Sequence, residues 1–356
     1  MAQCSRDAVR AIFAGGSLGR GEVWAAQIGE RVEIYSDVDL YVVLASPGRR
    51  DDVIRAARDA ATSMADEEDN VRFLRPVDVG VYSEHDLLSQ PVRPGTVDLA
   101  LHSVFLHGDR TILTPLAAAM SRPMDAGEAL YLLENRALEL TALDGSPGDA
   151  RARSMLVMAL KARLDVDAAY AIASGTFAPT LSARETEFTR GARVGLPAAA
   201  ERALADAYAS THDLGAWLAT ADAGAEMIAS LQFLAAAWRA LGAALMGGRE
   251  DHPGELASRR CREGQWLSNG REMIRLRRAV AAGRWTSVRA AARFAHFSPR
   301  AALRLHALVC EWSREQPAWD ASLRAQRDYV DALTRALGFE RGLLEVRAIT
   351  AHRAIS

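Results

Sequence analysis

The run YSDVDLYVVL contains two aspartates, Asp37 and Asp39, with a single valine between them. In a β-strand, side chains two residues apart project from the same face, so both carboxylates are expected on one surface. Neighbouring carboxylates repel each other and resist transfer out of water, so the pair is costly on a half-buried strand unless a cation binds between them. Ligands that are all oxygen suit a hard divalent ion, and the pair therefore predicts a Mg²⁺ or Mn²⁺ site.

A glycine-rich turn, GGSLGRG, lies upstream at residues 15–21. Gly15 and Gly16 let the backbone approach a ligand closely and adopt positive φ. Ser17 supplies a hydroxyl, and free amides at the start of a following helix favour an anion. Taken with the acidic strand, the turn predicts one site that holds phosphate oxygens on one side and a metal on the other.

The glycine turn followed by an Asp-x-Asp strand resembles the DNA polymerase β-like nucleotidyltransferase superfamily. The stretches GGSLGRGE and SDVDL are especially similar to the transferase domain of the PII-protein uridylyltransferases. The chain also resembles aminoglycoside nucleotidyltransferases, the minimal nucleotidyltransferases of toxin–antitoxin systems and bacterial dinucleotide synthases. The resemblance implies that Gly16 and Ser17 hold the β- and γ-phosphates of a nucleoside triphosphate, with Gly15 permitting the turn. It also implies that Asp37 and Asp39 bind the metal pair.

The same resemblance implies a third carboxylate on a later strand, which would complete one metal site and act as, or position, the base that takes a hydroxyl proton. The stretch VRFLRPVDVGVYS offers Asp78 between two valines, where a lone aspartate is costly to bury without a function. Asp98, in TVDLAL, is the alternative, but it follows a Pro/Gly loop and is expected to begin a helix. We therefore predict Asp78 as the third metal ligand.

Lys161 is the only lysine of the chain, whose other basic residues are arginines. It lies in MLVMALKARLDVDAAYAIASG, a predicted helix that is expected across the cleft from the sheet. In the enzymes that the chain resembles, such a helix often brings a lysine to the triphosphate, and this implies a nucleotide-binding role for Lys161. An ordinary solvated lysine is the alternative interpretation.

The implied reaction is nucleotidyl transfer, in which a substrate hydroxyl attacks the α-phosphate of a nucleoside triphosphate and pyrophosphate leaves. ATP is the expected donor, so AMP would move to a hydroxyl of a small molecule or a protein. Two alternatives stay open: a nucleotide-binding regulatory or interaction protein, and a toxin-type transferase that acts on nucleic acid. Because the formal net charge is -2, no overall basic field favours a nucleic-acid partner.

Strand and helix signals alternate through the first part of the chain. Apolar runs at Ala11–Ala14, Val38–Leu44 and Val71–Tyr82 predict strands, and the amphipathic pattern of Asp51–Met64 predicts a helix. The segment 23–34, between the glycine turn and the acidic strand, is longer than in most members of the superfamily. It is expected to form an extra helical turn or a longer strand.

After Pro115, strand signals largely vanish and long Ala/Leu/Arg-rich stretches follow with helical period. The predicted fold class is α+β, with an N-terminal polymerase β-like mixed sheet with helices followed by an all-α C-terminal region. The predicted domains are a nucleotidyltransferase domain at 1–115, a helical substrate and nucleotide-cleft domain at 125–247 and a terminal helical region at 252–356. The main helices before that region are predicted at Gly127–Leu143, Ala150–Ala173, Ala198–Ser210 and Ala225–Met246.

Composition points to an ordinary soluble protein, with 49% hydrophobic and 25% charged residues. Its three cysteines lie far apart, without the spacing of a disulfide framework or a zinc site, which suits a reducing cytoplasm. The N-terminus lacks the apolar core of a signal peptide, and no apolar run reaches membrane-spanning length. We therefore predict a cytoplasmic protein with no membrane partner.

Overall fold

The computed structural model describes residues 8–46, 52–56, 59, 71–74, 77–120, 122–142, 149–191, 196, 198–248, 250 and 256. Within them the chain is α+β: strands and short helices come first, and longer helices follow. The strands are β1 (Val9–Gly15), β2 (Ala25–Ile28), β3 (Arg31–Ile34), β4 (Val38–Leu44), β5 (Val71–Phe73), β6 (Val77–Ser83) and β7 (Val104–Gly108). The helices are α1 (Gly16–Arg20), α2 (Glu84–Leu88), α3 (Pro94–His102), α4 (Thr114–Ala119), α5 (Gly127–Ala142), α6 (Asp149–Ala173), α7 (Leu181–Thr189), α8 (Ala198–His212), α9 (Leu214–Thr220) and α10 (Ala223–Met246).

The strands of the main sheet lie in the order β6-β4-β1-β7. Strand β1 runs antiparallel to both β4 and β7, while β4 and β6 run parallel. A smaller sheet has the order β2-β3-β5, in which β2 and β3 form an antiparallel hairpin. The main sheet is therefore mixed, as the alternation of strand and helix signals predicted.

Apolar side chains cover both faces of the main sheet. On one face, Phe13 of β1 packs in a core with Leu99 of α3 and Leu116 of α4. On the other face, Val42 of β4 packs in a core with Val53, which belongs to a helical segment at residues 52–56. Because strand side chains alternate between faces, successive residues of β1 and β4 contribute to opposite cores and hold these strands firmly.

The described residues fall into two compact units, each made of segments that are distant in sequence. The first contains the described residues of Met1–Asp125, Ser174–Val194 and Tyr208–Ala221; the second contains those of Ala126–Ala173, Gly195–Ala207 and Asp222–Ser356. Helices α7 and α9 therefore belong to the unit that contains the sheets, although helical segments of the other unit surround them in sequence.

In the second unit, helices α5, α6 and α10 pack on one another. Trp238 of α10 is fully buried, and its Nε1–H donates a hydrogen bond to Oε1 of Glu134 in α5 at 3.2 Å. Arg136 of α5 donates from Nε to Asp165 of α6 at 2.6 Å. By length and composition alone, α10 is apolar enough to cross a membrane, so the expectation that no apolar run reaches that length is wrong. Several of its side chains, including Leu234 and Trp238, are nevertheless buried inside the protein.

The strand predicted at Val38–Leu44 is confirmed with the same bounds, and the one predicted at Ala11–Ala14 lies within the longer β1, Val9–Gly15. The single strand predicted at Val71–Tyr82 is wrong, because β5 and β6 belong to different sheets. The sequence places Pro76 between them, and a proline has no N–H with which to continue a strand ladder.

The segment 23–34 forms the β2–β3 hairpin, so the expectation of an extra helical turn or a longer strand is wrong. Its tight turn contains Gly29, whose φ of 61° is in the left-handed region. At its base, the Tyr35 N–H donates to the Trp24 carbonyl at 2.9 Å, and the Trp24 N–H donates to Oγ of Ser36 at 2.8 Å. These bonds bring the two ends of the hairpin together.

The four main helices predicted from the period are confirmed to within a few residues. Helices α7 and α9 were not predicted, because α7 buries no side chain and so lacks an apolar stripe, while α9 is very short. Each begins at an N-cap residue instead: the Thr180 side chain accepts from the Ala183 N–H, and the Asp213 side chain accepts from the Ala216 N–H. Most of Asp51–Met64 and nearly all of 252–356 lie outside the described residues.

Candidate functional site

The glycine turn and the acidic strand meet at one end of the main sheet. Gly15, the last residue of β1, is the backbone partner of Asp39 in β4, and Asp39 is the partner of Asp78 in β6. Neighbouring strands lie about 4.8 Å apart, so paired residues project side by side from the same face. The pairing therefore brings together three of the predicted site residues, which are separated by up to 63 positions in sequence.

The two aspartates of the acidic strand are half-buried, with Asp37 one residue before the start of β4. The expectation that Asp78 is buried is wrong, because it is exposed on β6, which lies at the edge of the described main sheet. Desolvation therefore gives no reason to assign Asp78 a function. Asp78 is a candidate member of the site because its backbone pairs with that of Asp39 on the neighbouring strand.

Gly16 places the backbone of the turn directly against the acidic strand. Its φ is 62°, and an added Cβ would lie only 2.1 Å from Oδ2 of Asp39. Glycine is therefore required here both by the backbone conformation and by the carboxylate. Ser17 follows in α1, and its carbonyl accepts a hydrogen bond from the Glu22 N–H at 2.8 Å.

Two tyrosines follow the carboxylates along β4 and β6, on the same face of the sheet. Tyr41, two residues after Asp39, stacks on Tyr82 of β6 with ring centroids 6.1 Å apart. Close-packed glycines make room for both rings, since an added Cβ would lie 2.8 Å from Tyr41 at Gly15 and 2.5 Å from Tyr82 at Gly80. Burial, and next the nearby carboxylate of Asp39, raise the pKa of Tyr41, so its hydroxyl stays protonated at neutral pH.

Asp98 is buried in α3, where it pairs with an arginine of the glycine turn. Nη1 of Arg20 lies 2.8 Å from Oδ2 of Asp98, and Nε of Arg20 donates to Oε2 of Glu22 at 2.8 Å. The other oxygen of Glu22 accepts from the backbone N–H of Leu181, the first residue of α7, at 2.6 Å. Asp98 therefore holds the end of α1 in place, and this pairing favours Asp78 as the third carboxylate of the site.

The pKa values of Arg20 and Asp98 are both raised above their ordinary values. Burial lowers the pKa of Arg20, but the neighbouring carboxylates of Asp98 and Glu22 outweigh it and raise that pKa overall. Burial raises the pKa of Asp98, and the opposing effects of Arg20, His102 and the Gly16 amide do not cancel it. Arg20 is thus firmly cationic and already satisfied by two carboxylates.

Lys161 lies in α6, and its side chain is half-buried. It belongs to the second compact unit, whereas the glycine turn and the aspartates belong to the first. Its nucleotide-binding role stays a prediction.

Within the described part of the chain, no group of three His, Cys, Asp or Glu side chains is arranged to hold a metal ion. The paired positions of Asp39 and Asp78 offer carboxylate oxygens side by side. Magnesium is commonly held by one or two carboxylates together with waters and substrate phosphates, rather than by a complete cage of protein ligands. Carboxylates in this register therefore fit the oxygen ligands that a magnesium ion takes from a protein.

No protein-family model matches this chain, and no curated protein matches it.

Sequence reasoning missed Tyr41, Tyr82 and the Arg20–Glu22 pair as parts of the site's surroundings. Gly80, an isolated glycine inside a strand, was an available signal, because such a glycine often marks a close approach of another group. No local pattern could identify Leu181 as a partner of Glu22, since the contact joins residues 159 positions apart.

Proposed function

We propose that this protein is a metal-dependent nucleotidyltransferase of the polymerase β-like type, which transfers an NMP from a nucleoside triphosphate to a hydroxyl and releases pyrophosphate. AMP is the favoured group, and the favoured acceptor is a small molecule or a protein. The observation that carries the proposal is the alignment of Gly15, Asp39 and Asp78 in one row of the sheet, with Gly16 against the Asp39 carboxylate.

The glycine turn supplies the phosphate-binding side of the site. Gly16 leaves the backbone without a side chain where the chain passes Asp39, so a triphosphate can approach the turn closely. Ser17 adds a hydroxyl at the next position. These groups would hold and orient the β- and γ-phosphates, so that the α-phosphate lies near the acidic strand.

The three aspartates supply the metal-binding side of the site. Asp37, Asp39 and Asp78 would hold Mg²⁺ or Mn²⁺, which when bound neutralises phosphate charge and favours in-line displacement. Asp78 is the carboxylate most open to solvent, since it is exposed whereas Asp37 and Asp39 are half-buried. It is therefore accessible to an incoming hydroxyl, and it would take or direct the proton that this hydroxyl loses.

The transfer assay uses each of the four nucleoside triphosphates labelled at the α-phosphate, with Mg²⁺ and a cell extract as the source of acceptors. Wild-type protein is compared with Asp39→Asn and Asp78→Asn. Asp86→Asn is the matched control, because Asp86 is an exposed aspartate of α2. We expect magnesium-dependent transfer of label, lowered at least about a hundredfold in the two site variants and unchanged in the control.

Equal transfer by wild type and by a double variant that lacks Asp39 and Asp78 would rule the proposal out. Magnesium-dependent triphosphate binding without any labelled product would favour a nucleotide-binding regulatory protein instead. Label appearing in nucleic acid rather than in protein or small molecules would identify the toxin-type activity.

A further inference from the structure

Glu22 joins two parts of the first unit that are far apart in sequence. Its Oε2 accepts from Nε of Arg20 at 2.8 Å, and its Oε1 accepts from the backbone N–H of Leu181 at 2.6 Å. Arg20 ends the helix that begins at the glycine turn, and Leu181 begins α7. Both carboxylate oxygens of Glu22 thus have a partner, one on each side of this junction.

The hydrogen bond to Glu22 provides an acceptor for a backbone N–H in the first turn of α7. The first N–H groups of a helix have no acceptor within the helix, and a negative charge near them is favourable. Thr180 accepts from the Ala183 N–H, and Glu22 accepts from the Leu181 N–H. A glutamate that follows α1 therefore acts as part of the cap of α7.

The network holds Glu22 in a fixed orientation. Arg20 pairs with Glu22 on one side and with Asp98 on the other, and the side chains of these three residues are only 20%, 18% and 7% exposed. Ion pairs that are removed from water to this extent are screened less by salt than exposed pairs. The position of Glu22 is therefore set by α1 and α3 together.

Helix α7 depends on such contacts because none of its own side chains is buried. Its C-terminal half contacts α8, through Phe188 against Tyr208 with ring centroids 5.4 Å apart and through Glu185 to His212 at 2.7 Å. Its first turn is joined to the glycine turn through Glu22. Loss of Glu22 would therefore release the start of α7 while its other end stays attached.

We propose that Glu22 is a positioning residue, which fixes the first turn of α7 beside the glycine turn so that this turn of α7 forms one side of the triphosphate site. This inference rests on the proposed nucleotidyltransferase function. Arg20, whose guanidinium is occupied by two carboxylates, serves the same arrangement and is not itself a phosphate ligand.

The test compares Glu22→Ala and Glu22→Gln with wild type in the full chain. Glu22→Gln keeps the size of the side chain and one acceptor oxygen, so it serves if the alanine variant folds poorly. Glu30→Gln is the control, because Glu30 is an exposed glutamate in the turn of the β2–β3 hairpin. Two quantities are measured: hydrogen exchange of the amides in Leu181–Thr189, and KM and kcat for the magnesium triphosphate.

In Glu22→Ala we expect exchange at the start of α7 to become about tenfold to a hundredfold faster, as for the loss of a hydrogen bond to a charged acceptor. We expect KM to rise about tenfold with kcat nearly unchanged, because the carboxylates of the acidic strand stay in place. Glu22→Gln should give a smaller change in the same direction, and Glu30→Gln no change in either quantity.

Faster exchange with unchanged KM would reduce Glu22 to a purely structural contact and overturn the inference. A fall in kcat at constant KM would also overturn it and would place Glu22 in the chemical step. If exchange responds but wild type neither binds the triphosphate nor transfers nucleotide, the proposed function has failed and the inference fails with it. Unchanged exchange alongside measurable wild-type transfer contradicts the inference alone.

Discussion

Replacement of Gly16 by alanine tests the junction between the turn and the acidic strand. The new Cβ would lie 2.1 Å from Oδ2 of Asp39, and real Cβ contacts essentially never fall below 3.0 Å. The carboxylate and the turn must therefore separate by about 0.9 Å, the difference between these two distances. A displacement of this size at a reacting centre costs on the order of a hundredfold in rate, so we expect kcat for nucleotide transfer to fall by about that factor.

The same substitution also strains the backbone, and a matched glycine separates the two effects. Gly29 has φ 61°, against 62° for Gly16, and an added Cβ there meets nothing within 4 Å. Alanine in this left-handed conformation costs roughly 1–2 kcal/mol at either position. Gly29→Ala should therefore share the backbone component of the stability loss with Gly16→Ala while keeping wild-type kcat.

The assay measures kcat from transfer of α-labelled phosphate and the thermal midpoint from unfolding of the same preparations. Wild-type kcat in Gly16→Ala would contradict this prediction, since it would mean that the Asp39 carboxylate can move without consequence. An equal loss of kcat in Gly29→Ala would also contradict it, because backbone strain alone would then explain the result.

Three further substitutions test the paired carboxylates, the buried Asp98 and the buried Trp238. Asp78→Asn removes one of two like charges paired across neighbouring strands, so the thermal midpoint should rise by the equivalent of about 0.2–1 kcal/mol while transfer is lost; a lower midpoint would contradict this. Burial raises the pKa of Asp98 in the folded protein above its ordinary value of 3.8. The folded state is therefore stabilised by the protonated carboxyl, fully so below pH 3.8, and this stabilisation is lost as the pH rises through the folded-state pKa. The midpoint of wild type relative to Asp98→Asn should accordingly decrease as pH rises above 3.8, and a difference that grows with pH would reverse the sign. Trp238→Phe removes the indole donor to the buried Glu134 and should cost about 1–3 kcal/mol in urea unfolding, whereas an unchanged unfolding free energy would show that another group replaces it.

The strongest sequence patterns predicted the parts of the fold that depend on local period. The strand at Val38–Leu44 and the long helices were predictable because their apolar spacing follows from burial of a face. Asp37 and Asp39 became candidate metal ligands because two carboxylates in an apolar run are costly to bury without a cation, and that role stays a prediction. The β2–β3 hairpin was missed although Gly29 and Glu30 are plausible turn residues, since four-residue strands carry little alternation.

Contacts between distant segments were beyond prediction from one sequence. The register that sets Asp39 opposite Asp78 depends on how β4 and β6 pair, and a shift of one residue would send one of the two carboxylates to the other face. The assignment of Asp78 relied on an expected burial that the structure contradicts, and its place opposite Asp39 is a consequence of pairing. Helix α7 was missed for a similar reason, because contacts with distant segments at Leu181, Glu185 and Phe188 hold it in place and its sequence contains no apolar stripe.

The hairpin between the glycine turn and the acidic strand makes the length of that segment independent of the site. Bonds from Tyr35 to the Trp24 carbonyl and from Trp24 to Ser36 close the hairpin at its base, and the pairing of Gly15 with Asp39 fixes the turn against the carboxylate. The chain could therefore lengthen, shorten or change its side chains at the tip near Gly29 without moving the glycine turn. If the protein is the proposed transferase, the tip of this hairpin is a place where selectivity for a new acceptor can change while the carboxylates stay in position.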